Sequence, residues 1–231
     1  HLTQCLERVG LAGQWAFRFM GRAEACWGLS SQALNELYRS CDALLNIGGA
    51  TDLQEWHLAA PLRVYVETDP VIAELQLAQG DAHTRIALAH HHTLVTYGEN
   101  FGAPDCGVPL NGLQYRKTRQ PVDLDLWPMA YDPAAPYFTT IGNYRQTGND
   151  VTYNGETYRW SKHHEWEKFA DLPQQTTQPF EVAMMFHDPE DSQLLKAHGW
   201  KLIPPFEMSL DVVGAYPAYI PQSRAELTVA K

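Results

Sequence analysis

Apolar residues fall into short blocks along this chain, separated by polar breaks marked by glycine or proline. From Ser31 to Cys41 the positions Leu34, Leu37, Tyr38 and Cys41 repeat at i, i+3, i+4 and i+7. That is the stripe of an amphipathic helix, and Ser30 or Ser31 can cap it. Asp42–Gly49 is a short apolar run ending in two glycines, which predicts a buried strand and a tight turn. Leu62–Glu67, rich in Val and Tyr, predicts a second strand. Pro70–Gln79 predicts a helix ended by Gly80, with Asp69 favoured as its cap. Asp81 caps a further helix running to about His90, and His92–Tyr97 predicts a third strand.

From Ala103 to Pro136 the periodicity fades, and six prolines interrupt it: Pro104, Pro109, Pro121, Pro128, Pro133 and Pro136. The economical reading is a linker between domains. Alternation then restarts. Tyr137–Ile141 predicts a strand ending at Gly142-Asn143, and Val151–Tyr158 a hairpin turning at Asn154-Gly155. Ser161 is placed to cap a helix through Phe169, and Phe180–Phe186 is an unbroken apolar strand. Asp188, Pro189, Glu190 and Asp191 open a helix with a cap, a proline and first-turn acids, and Gly199 ends it. Lys201–Pro204 predicts a strand, Asp211–Ser223 a helix broken by Pro217 and Pro221, and Glu226–Ala230 a last strand. Apolar strands alternating with capped helices make βαβ units, hence an α/β fold with doubly wound parallel sheets. The expected domains are residues 1–128 and 137–231, joined by a linker at 129–136.

Composition narrows the partners. Hydrophobic residues make up 45% of the 231 and charged residues 19%, enough for a globular core. The net charge of −10 argues against a nucleic acid or an anionic membrane surface, because phosphate backbones need a basic face. A local phosphate stays possible, since backbone N–H groups can hold it. No apolar run approaches the roughly 20 residues of a membrane span. The cysteines at 5, 26, 41 and 106 share no CxxC spacing and read as reduced thiols of a cytoplasmic protein. The chain starts at His1 without methionine and stops inside an element, so part of a longer protein is expected.

In doubly wound sheets ligands meet the carboxyl ends of the strands. Four such ends stand out: Asn46–Thr51 with Gly48 and Gly49, Glu67–Pro70, Tyr97–Asn100 with Gly98 and Glu99, and Ile141–Asn143 with Gly142. Glu67 can act as an acid, a base or a sugar-hydroxyl acceptor, while each glycine pair can equally be a plain turn. Arg145 suits phosphate oxygens, and Lys162 at a helix start adds a cation, or is a surface lysine. His90-His91-His92 cannot share one ion, because neighbouring side chains diverge on a strand and on a helix alike, so no metal site is expected. No G-x-S-x-G, P-loop or GxGxxG occurs.

The order of several segments resembles bacterial glycosyltransferases of the GT-B class, close to the group 1 families. The resemblance rests on Leu45–Thr51, Val64–Pro70, Thr96–Asn100, Gly102–Cys106 and Thr118–Pro121, then Phe138–Asn143, Trp160–His163 and Ser223–Lys231. It implies two Rossmann-like units in GT-B arrangement, the first on the acceptor side and the second on the donor side. It implies that strands of the first unit precede His1 and that the main sugar-nucleotide segment follows Lys231. It also implies metal-independent transfer of a sugar from a nucleotide donor to an acceptor in an interdomain cleft, the donor being a substrate rather than a cofactor. Glu67 and Glu99 would then be catalytic. Gly48, Gly49, Thr51, Gly98 and Asn100, with Gly142, Asn143, Arg145 and Lys162, would bind substrate. A non-catalytic sugar- or nucleotide-binding module, or another sugar-nucleotide enzyme such as an isomerase, are the rival readings.

Overall fold

A computed structural model describes residues 2–19 and 26–229. Two units divide the chain between Pro121 and Val122.

The first unit opens with α1 (Leu2–Arg8) and a small antiparallel ribbon of β1 (Ala16–Arg18) and β2 (Cys26–Gly28). Neither strand is visible in the sequence, because three residues are too few to display a period of two. α2 (Ser31–Ser40) follows, capped by Ser30, whose hydroxyl accepts from the Ala33 amide at 3.1 Å. Then come β3 (Leu44–Ile47), β4 (Arg63–Glu67), α3 (Ile72–Ala78), α4 (Ala82–Ala89), β5 (Thr93–Thr96) and β6 (Tyr115–Lys117). The four strands form one parallel sheet in the order β3-β4-β5-β6, each strand beside its predecessor. β6 lies within the stretch expected to be linker. It is a short polar edge strand whose only signal is its ladder to Leu94–Thr96.

The start of α3 also corrects the sequence reading. Asp69 does not cap it. Val71 takes φ of 101°, a strained value for a β-branched residue, and the helix begins one residue later. The Glu74 carboxylate accepts from the Val71 amide at 3.0 Å and so does the capping. Asp81 does cap α4, accepting from the Thr84 amide at 2.6 Å.

The second unit comprises β7 (Phe138–Asn143), a hairpin of β8 (Val151–Tyr153) and β9 (Glu156–Tyr158), α5 (His163–Lys168), β10 (Phe180–Met185), α6 (Pro189–Ala197), β11 (Lys201–Ile203), α7 (Phe206–Leu210), α8 (Ala215–Tyr219) and β12 (Ala225–Glu226). The hairpin turns at Asn154 (φ 50°) and Gly155 (φ 82°), the two left-handed residues that a type I′ turn requires. The main sheet is parallel with the order β11-β10-β7-β12. β10 is buried through Met184, and its face packs with Tyr144, Trp166, Leu195 and Trp200 into one core. The one acid on that strand, Glu181, is paired with Lys201 Nζ at 2.6 Å and accepts from the Tyr219 hydroxyl at 3.1 Å. β7 runs two residues beyond the expected end, because Gly142 and Asn143 continue the ladder opposite Met184 and Met185. Ser161 does not cap α5. Its hydroxyl accepts from the Gln146 amide at 3.0 Å and meets His163 Nδ1 at 2.6 Å, and Lys162 takes the cap position. β12 is shorter than the Glu226–Ala230 strand expected, and Ala230 lies outside the described residues.

The fold class is thus two Rossmann-like α/β units, each on a four-stranded parallel sheet. No helix among the described residues is long and apolar enough to cross a membrane.

Candidate functional site

In the second unit the chain leaves β7 on one side to build β10 and β11, then returns to place β12 on the other. That reversal puts a topological switch point between β7 and β12. Carboxyl ends of strands at such a point leave a crevice that ligands use. A hollow of about 90 Å³ sits there, lined by Gly142, Asn143, Gln146, Lys162, Met184 and Thr228 among others. Three residues singled out in the sequence, Gly142, Asn143 and Lys162, therefore meet at one place. Trp166 and Ile141 give it an apolar wall. A side chain added at Gly142 would meet no atom within 4 Å, so the strand end opens onto free space. The Lys162 ammonium has no hydrogen-bond or ion-pair partner among the described residues. A larger hollow of about 340 Å³ shares Thr140 and Ile141 and is walled by Tyr131, Tyr216, Tyr219 and Ile220.

Arg145 is differently placed. Its Nε and Nη2 bind Asp191 side-on at 2.8 and 2.7 Å, and its Nη1 meets His163 Nε2 at 2.8 Å. The arginine donates to Nε2, so the other ring nitrogen carries the proton and donates to Ser161 Oγ. Burial, then the neighbouring guanidinium, push the His163 pKa down, consistent with this neutral tautomer. The Arg145 hydrogen bonds hold the Asp191 carboxyl below its usual range. Tyr144–Gln146 is thereby tied to α5 and to the first turn of α6. Through Asp191 and His163, Arg145 braces the segment beside Asn143. The sequence announced Asp191 only as a first-turn acid, and nothing in its spacing pointed to Arg145. Asp191→Ala should lower stability by about 1–3 kcal/mol, discounted because the arginine is partly exposed and can rehydrate. Urea unfolding of the variant checks this.

The first unit carries the remaining expected residues at the carboxyl ends of β3, β4 and β5. Gly48 and Gly49 both lie in the left-handed region, at φ 69° and 60°. A Cβ at Gly49 would come within 2.6 Å of the Tyr65 ring, so this glycine is required by close packing. Asn46 closes the turn, donating to the Thr51 carbonyl at 2.9 Å and accepting from the Thr51 amide at 3.3 Å. Gly98 donates its N–H to Thr96 Oγ1 at 2.9 Å. Glu99 is exposed and paired with Arg119, whose hydrogen bond and charge hold its carboxyl below the usual range. Asn100 reaches Asp105 Oδ1 at 3.3 Å.

Glu67 is only 2% exposed. Thr96 Oγ1 donates to its Oε2 at 2.6 Å, while its Oε1 has no partner. Beside it the fully buried Glu74 accepts from the Tyr115 hydroxyl on one oxygen and the Val71 amide on the other. Both Glu74 oxygens thus have donors, whereas Oε1 of Glu67 has none. Burial first, then the Glu74 charge, raise the Glu67 pKa to about 8. Burial and these same two acids push Tyr65 up to about 12. Of the two expected catalytic acids, Glu67 has its pKa raised to about 8 but is screened from solvent, and Glu99 is reachable but has its pKa lowered by Arg119.

The three consecutive histidines go separate ways. His91 donates from Nδ1 to the Ala87 carbonyl at 2.8 Å and accepts from Asn46, and His92 Nδ1 accepts from the Arg63 amide at 3.0 Å. His90 ends α4. Among the described residues no three His, Cys, Asp or Glu side chains gather as a metal would need. All four cysteines are free thiols.

The fold and the strand-end crevice define the chain as a Rossmann-like α/β protein with a candidate ligand site. No protein-family model matches it and no curated protein matches it. Among solved structures it is similar to an alpha-glucosyltransferase in complex with UDP and a 13-mer DNA containing a central A:G mismatch. The identity is 10% and the TM-score 0.44, with 87% of this chain and 55% of that one covered. This chain therefore spans little more than half the length of that neighbour.

Proposed function

We propose that the chain is part of a glycosyltransferase of GT-B type, and that the crevice at the end of β7 receives the diphosphate of a nucleotide-sugar donor. The observation that carries this reading is the meeting of Gly142, Asn143 and an unpaired Lys162 at the switch point of a parallel sheet. On this reading the side-chain amides of Asn143 and Gln146 donate to phosphoryl oxygens. The Lys162 ammonium offsets the charge that builds up as the bond between the sugar's C1 and the phosphate oxygen breaks. The Arg145–Asp191 pair positions the segment. In the first unit Glu99 is the acid an acceptor hydroxyl can reach, once Arg119 lets it go, while Glu67 is buried.

Calorimetric titration of the protein with UDP and GDP tests the reading. Lys162→Ala should weaken diphosphate binding roughly ten- to a hundredfold, the worth of one charge-assisted hydrogen bond. Gly142→Ala should weaken it too while leaving thermal unfolding unchanged, because the added methyl enters open space. Unaltered binding in both variants would sink the assignment. The pairing of Glu99 with Arg119 favours one second reading, a nucleotide-binding module without transfer. Binding of the diphosphate with neither donor hydrolysis nor transfer selects it.

A further inference from the structure

Four titratable side chains meet inside the first unit: Tyr65 and Glu67 from β4, Glu74 from α3 and Tyr115 from β6. Glu67 is 2% exposed and Glu74 is fully buried. The charges acting on Glu67 are those of Glu74 and, more weakly, Asp69. Among the described residues no cation acts on Glu67 or on either tyrosine. Two carboxylates buried together without a cation cannot both ionise without a large penalty, so a proton stays with them in the folded state. The hydrogen bonds separate the two acids. Glu74 accepts from the Tyr115 hydroxyl and from the Val71 amide, whereas Glu67 accepts from Thr96 alone and its Oε1 has no partner.

The two acids are not held equally firmly. Glu67 stands on a strand laddered on both sides, by β3 and β5, and its partner Thr96 is fully buried. Glu74 stands in the first turn of a seven-residue helix. Val71, just before that helix, has φ of 101°, which a β-branched residue keeps only under constraint. Glu74 supplies that constraint through the Val71 amide. A second negative charge at Glu67 therefore pushes on the side that can give, and a first turn that opens lets Val71 relax and Glu74 meet water. The link from β4 to α3 also borders the Gly48 turn, for a Cβ at Gly48 would come within 3.2 Å of Thr68 Oγ1.

We propose that Glu67 is protonated in the closed protein and that loss of this proton to solvent opens the first turn of α3, making the link between β4 and α3 a pH-operated flap beside the Gly48 turn. It uses no residue of the crevice at the end of β7, so it stands or falls apart from the proposed activity. Burial first, then the Glu74 charge, raise the closed-state carboxyl to about 8, and opening returns it toward 4.5. Opening thus releases a proton. It becomes easier, by up to about tenfold per pH unit, as pH rises to about 8, and no easier above that.

Amide hydrogen exchange of the full chain, read residue by residue from about pH 5.5 to about pH 9 and corrected for the intrinsic rate, tests this. The Leu75 amide, which donates to the Val71 carbonyl at 3.1 Å, and the Val71 amide itself are the reporters. Their protection should fall by up to about tenfold per pH unit, level off above about pH 8, and ignore low urea, because one turn exposes little surface. The Leu94 and Val95 amides of β5 should be better protected and should lose protection as urea is added. In Glu67→Gln, which has no charge to gain, protection at Val71 and Leu75 should be flat with pH. A slope that survives in Glu67→Gln, no slope in the natural protein, or Val71 and Leu75 matching β5 in protection and urea dependence would overturn the proposal.

Discussion

Glu67→Gln should make the first unit more stable at pH 8 and should flatten the dependence of its stability on pH. The sign follows from the raised pKa. In the unfolded chain the carboxyl titrates near its ordinary value of 4.5, and in the folded chain at about 8. Between those values the folded state holds a proton that the unfolded state has released. Stability is therefore fullest below about pH 4.5 and falls as pH rises to about 8. The slope approaches about 1.4 kcal/mol per pH unit for one proton, so the loss amounts to a few kcal/mol. Glutamine keeps an oxygen for Thr96 and puts an N–H at the vacant position facing Glu74, with no charge to bury. Urea unfolding between pH 5 and pH 8 is the measurement. A wild-type slope that persists in the glutamine variant would show that the proton sits elsewhere. Glu74→Gln should behave differently, because the Val71 amide and the Tyr115 hydroxyl both need an acceptor there and would lose part of it.

Trp166→Ala should cost about 3–5 kcal/mol, the range for truncating a buried aromatic. Trp166 is 1% exposed and meets the Trp200 ring edge-on at 5.5 Å, and Trp200 donates from Nε1 to the Ala170 carbonyl at 2.7 Å. Its loss opens the core directly beneath the crevice, so ligand binding should fall together with stability. Trp166→Phe should keep most of the fold and separate the two effects. Thermal unfolding alongside diphosphate titration distinguishes them, and a stable alanine variant would contradict the core described for β10.

The sequence revealed best what rests on local rules. Ser30, Asp81 and Asp188 cap helices as their spacing requires, and Asn154-Gly155 makes its hairpin. Gly142, Asn143 and Lys162 could be singled out because they follow a strand or open a helix, and the structure brings them to one hollow. Pairings made across long stretches of chain were not visible. Nothing near Glu67 names Glu74 or Tyr115 as a neighbour, and nothing near Arg145 names Asp191. β6 was hidden because three polar residues at a sheet edge carry no alternation, and their order comes wholly from β5. The division between Pro121 and Val122 falls about seven residues before the expected linker at 129–136, for proline-rich polar segments blur any edge drawn from composition.

The two sheets also differ in the order in which they can be assembled. In the first, every strand docks beside the one just made, so each closure is local and the sheet can grow as the chain emerges. In the second, β12 must come back past β10 and β11 to pair Ala225 with Phe138. Closing so long a loop carries an entropy cost that precedes any reward, which places this docking late in folding. Thr228, just beyond that strand, is one wall of the crevice. The crevice is therefore expected to be completed last in the unit. A ligand that favours the crevice acts on that final docking step, slowing the loss of β12 more than the unfolding of the core behind it.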